Sequence, residues 1–148
     1  MNIDFTQVVT AETLAALGTA AARAAAKGQV LAAIAALTEA MTGPVPLAEM
    51  LCWPAKEAAA RACAEGTATE AQTAMISGEA EMTGETTAVL VNRILKNADA
   101  YGSAIATLTG LRRAAEADID NARDIPAVET ATIDALERLA TLAQTLSA

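Results

Sequence analysis

From residue 10 onward, apolar residues recur three and four apart, the spacing of a helix face rather than of a strand. Before that, Ile3, Phe5, Val8 and Val9 are interleaved with polar residues, and residues 1–9 read as an extended arm. Thr10-Ala11-Glu12-Thr13 opens a first helix, with Thr10 as N-cap and Glu12 in the first turn, where it favours the dipole. That helix runs to about Met41, along a stripe of Val30, Ile34, Leu37 and Met41. Gly18 and Gly28 weaken it, with a kink expected near Gly28, and Gly43-Pro44-Val45-Pro46 stops it.

A second helix covers roughly Leu47 to Glu65; Pro54, after Trp53, either starts it properly or bends it. Gly66 and Thr67 close it. Residues 69–83 read as a short third helix, ended near Gly78 or Gly84. A fourth segment runs from about Glu85 to Ala122, with Val91, Ile94, Tyr101, Ile105 and Leu108 on one stripe. Unbroken it spans about 57 Å, so Gly102 and Gly110 are the expected interruptions. Asp124-Ile125-Pro126 marks a boundary, and a last helix over about 126–146 buries Ile133, Leu136, Leu139, Ala143 and Leu146. The expected fold is all-α: an elongated bundle of four to five helices, 10–148 forming a single Ala-rich domain behind the arm.

Composition strengthens that reading. Hydrophobic residues make up 53% of the 148, yet aromatics only 2%, because about a quarter of the chain is alanine, several times its ordinary share. Alanine is the best helix former and a poor strand former, which argues against a β-sandwich or barrel. A buried alanine contributes much less than the 1.5–3 kcal/mol of a buried Leu or Phe, so the chain's own core is expected to be thin. Such a chain gains most by packing its stripes against other copies or another protein. A net charge of −8 with scattered cations disfavours nucleic acid. The most apolar run, Val30 to Leu37, is short for a membrane span, and a soluble protein with no membrane insertion is expected.

Histidine is absent, which removes the usual general base, the Ser-His and Cys-His nucleophiles and imidazole metal ligands. Cys52 and Cys63 lie about 16 Å apart on a continuous helix, too far for a disulfide unless Pro54 breaks it; two reduced, packed thiols are expected. Glu116, Asp118, Asp120 and Asp124 lack the glycine and terminal glutamate of a calcium loop and read as a solvated face. Glu79, Glu81 and Glu85 form a carboxylate cluster, but a glycosidase cleft wants aromatic platforms that this chain lacks. No catalytic, cofactor-binding or metal-ligating residue is expected, nor a small-molecule substrate. The candidate partner-binding residues are Ile3, Phe5, Val8 and Val9 of the arm, able to dock in a neighbour's groove, and Trp53, the lone Trp, read either as core or as an interface anchor.

The order of landmarks resembles one helical family. Asp4-Phe5-Thr6-Gln7-Val8-Val9-Thr10-Ala11-Glu12 matches its opening before an Ala/Arg-rich helix. Glu49, Cys52-Trp53-Pro54 and Glu57-Ala58 match a Trp-bearing helix, and Thr73-Ala74-Met75-Ile76 with Gly84 a short segment ending in glycine. Leu90, Ile94, Asn97-Ala98, Gly110-Leu111-Arg112-Arg113 and Ile119 match the remainder. The chain is thus similar, over nearly its whole length, to the helical tail and tail-fibre-associated proteins of tailed bacteriophages and prophages. Lys56 stands where that pattern more often has Gln, and Ala74 where it has Pro. The resemblance implies a non-enzymatic virion structural protein, made in the host cytoplasm and located in the tail. Its implied partners are other tail proteins, in a homo-oligomer or hetero-assembly. The alternative is a tail-fibre assembly chaperone absent from the mature particle.

Overall fold

The computed structural model describes residues 10–146, and every regular element among them is an α-helix. The five are α1 (Ala11–Thr42), α2 (Leu47–Glu65), α3 (Glu70–Thr83), α4 (Thr87–Asn121) and α5 (Ile125–Leu146). Their ends follow from capping chemistry. Thr10 Oγ1 accepts from the Thr13 amide at 3.1 Å and its carbonyl from the Leu14 amide, so α1 starts where the Thr-Ala-Glu-Thr run placed it. Thr69 and Gln72 form a reciprocal capping box on α3. Thr86 caps α4 by accepting from the Val89 amide, and Asp124 caps α5 by accepting from the Ala127 amide. Gly66 and Gly84 end α2 and α3 in the left-handed region, at φ 71° and 73°, where a side chain is strained.

Glycines and prolines inside the helices interrupt less than their propensities suggest. α4 passes through Gly102 and Gly110 for 35 residues, against the expected breaks. Each glycine costs only about 1 kcal/mol relative to alanine, which tertiary packing outweighs. Gly78 likewise lies within α3, whose end is Gly84. Pro54 sits inside α2, and Pro126 occupies the second helical position of α5.

The chain forms two compact units. One is continuous, residues 39–106. There α2 packs on α3, and Ala59, Ala60, Ile76, Ala80, Leu90 and Val91 form the buried cluster, with Cys63, Ile94 and Leu95 against it. Half of those six are alanines, so Ile76, Leu90 and Val91 carry most of the burial energy.

The other unit joins residues 10–38 to 107–146 in its described part. Its buried positions are Thr19, Ala26 and Val30 from α1, Leu108, Ala115 and Ile119 from α4, Ala122 just after it, and Val128, Thr132, Ala135 and Leu139 from α5. The two buried threonines cost little, because each hydroxyl donates to the carbonyl four residues back: Thr19 to Ala15 and Thr132 to Val128. Arg23 Nη2 donates to the Ala122 carbonyl at 2.5 Å, and Lys27 pairs with Asp120 at 2.7 Å.

The stripe expected on α5 is corrected. Leu139 is buried, but Ile133 is 57% exposed and Leu146 is also exposed; the buried row is Val128, Thr132, Ala135 and Leu139. Apolarity ranks Ile above Thr and Ala, whereas closely approaching helix backbones select small side chains. On α1, Val30 is buried while Ile34, Leu37 and Met41 are only partly so.

Candidate partner-binding surface

Trp53 is half-buried on α2 and meets Tyr101 of α4 edge to face, with ring centroids 5.6 Å apart and planes at 83°. That geometry sets a positive ring edge against a negative ring face. Nearby on the same helices, Arg61 donates to Glu57 at 2.8 and 2.9 Å and to Asp99 at 2.7 Å. Those hydrogen bonds, Glu57's first and then Asp99's, hold the guanidinium above its already high ordinary pKa. Trp53 is therefore both a packing residue and partly open to solvent, with exposed Leu51 and Pro54 beside it in sequence. Ile3, Phe5, Val8 and Val9 lie outside the described residues.

Five of the seven candidate carboxylates make ion pairs or cap a helix. Glu79 pairs with Lys56 at 2.7 Å and Glu116 with Arg112 at 2.7 Å, while Glu85 binds Arg93. Asp120 holds Lys27, and Asp124 caps a helix. No three metal-ligating side chains converge among the described residues. Cys52 is exposed and Cys63 half-buried, both as free thiols. Cys63 borders an open cavity of about 470 Å³ with Ala64, Thr87, Ala88, Val91 and Asn92, a lining without an acid–base pair.

Beyond the Val30–Met41 stripe, α1 carries a second apolar face. Leu14 and Leu17 are each 60% exposed and Leu31 48%, on the side opposite the buried Thr19, Ala26 and Val30. Ala21, Ala24, Gly28 and Ala35 continue that exposed row. That face is legible in the spacing of Leu14, Leu17 and Leu31, although the denser stripe at 30–41 is the stronger sequence signal. α2 repeats the arrangement, with Leu47 67% and Leu51 71% exposed opposite Ala59, Ala60 and Cys63.

Alanine also makes α1 as a whole long and apolar enough to cross a membrane by length and composition, beyond what its short Val30–Leu37 run suggested. Arg23 and Lys27 lie inside it, each bonded to another segment of the same unit, and a lipid-facing placement would strip them of water. No protein-family model, no curated protein and no solved structure matches the chain, so what its surfaces meet is read from the residues themselves.

Proposed function

We propose that this chain is a non-enzymatic virion component of a tailed bacteriophage or prophage, a tail or tail-fibre-associated helical subunit that binds other tail proteins. The observation that carries the reading is the set of large apolar side chains facing away from each helix's own packed side: Leu14, Leu17 and Leu31 on α1, Leu47 and Leu51 on α2. Single exposed leucines are ordinary on any protein; rows of them opposite a packed face are the mark of a surface made to be covered. The order of landmarks from Asp4-Phe5 to Arg112-Arg113 supplies the class of assembly. In this reading the molecule is an elongated bundle whose residues 1–9 form an arm reaching a neighbour through Ile3, Phe5, Val8 and Val9, with Trp53 as a further contact.

Quantitative mass spectrometry of purified particles tests it. The expected result is this chain at a fixed ratio to the tail proteins. Abundance in the producing cell with absence from the particles overturns it in favour of an assembly chaperone.

A further inference from the structure

We draw no further inference here: the strongest candidate, the exposed apolar row of Leu14, Leu17 and Leu31 on α1, already carries the proposed function, and nothing in the structure shows what covers it.

Discussion

Trp53 and Tyr101 form an edge-to-face pair that ties the middle of α2 to the middle of α4. They are the only Trp and the only Tyr of the chain, so their environment is spectroscopically isolated. A double-mutant cycle with Trp53→Leu and Tyr101→Leu, read by urea denaturation, should give a coupling of about 0.5–1.5 kcal/mol. Tyr101→Leu alone should shift the fluorescence of Trp53 to the red by opening the ring to water. A coupling near zero would mean that the rings merely lie side by side.

Arg23 stabilises through a carbonyl as well as through packing. Its Nη2 donates to Ala122, just past the end of α4, where a cation also meets the negative end of the helix dipole, while its Nε is buried without a hydrogen-bond partner. Arg23→Ala should cost about 1.5–3 kcal/mol in thermal or urea unfolding, the range of a charged hydrogen bond. Arg23→Met should cost less, because it keeps the apolar stem and removes the orphaned donor. If Met proves as damaging as Ala, the bond to Ala122 dominates and the stem contributes little.

The corrected face of α5 can be weighed directly. Leu139→Ala should destabilise by about 2–5 kcal/mol, since it empties a buried site. Ile133→Ala, at a position 57% exposed, should change stability by no more than about 0.5 kcal/mol. Equal effects from the two would restore the stripe read from apolarity alone.

Helix boundaries were largely legible because they depend on short-range chemistry: the Thr10 hydroxyl, the Thr69–Gln72 box, and the left-handed glycines at 66 and 84. The burial of Leu108 and Val91 is legible too, because both are bulky residues on a regular stripe. Packing faces were harder to read in helices where alanine lies on every side. Ala26, Ala104, Ala115 and Ala135 are buried, while Ala21 and Ala24 are open, and nothing in the residue type distinguishes them. The choice depends on which backbones come close, a property of the tertiary arrangement. Side-chain size alone therefore does not tell which face of a helix Leu17 or Ile133 occupies.

The division of the chain has a consequence for the order of synthesis. Residues 39–106 are contiguous, so that unit is complete as soon as its last residue has left the ribosome, and it closes over short loops. Its counterpart must bring residues 10–38 together with 107–146, and Arg23 meets the Ala122 carbonyl across 99 residues. Until then Thr19, Ala26 and Val30 of the nascent first helix lack the later residues of the unit in which they are buried, and it is during this interval that a holding factor or an early neighbour would have the most to offer.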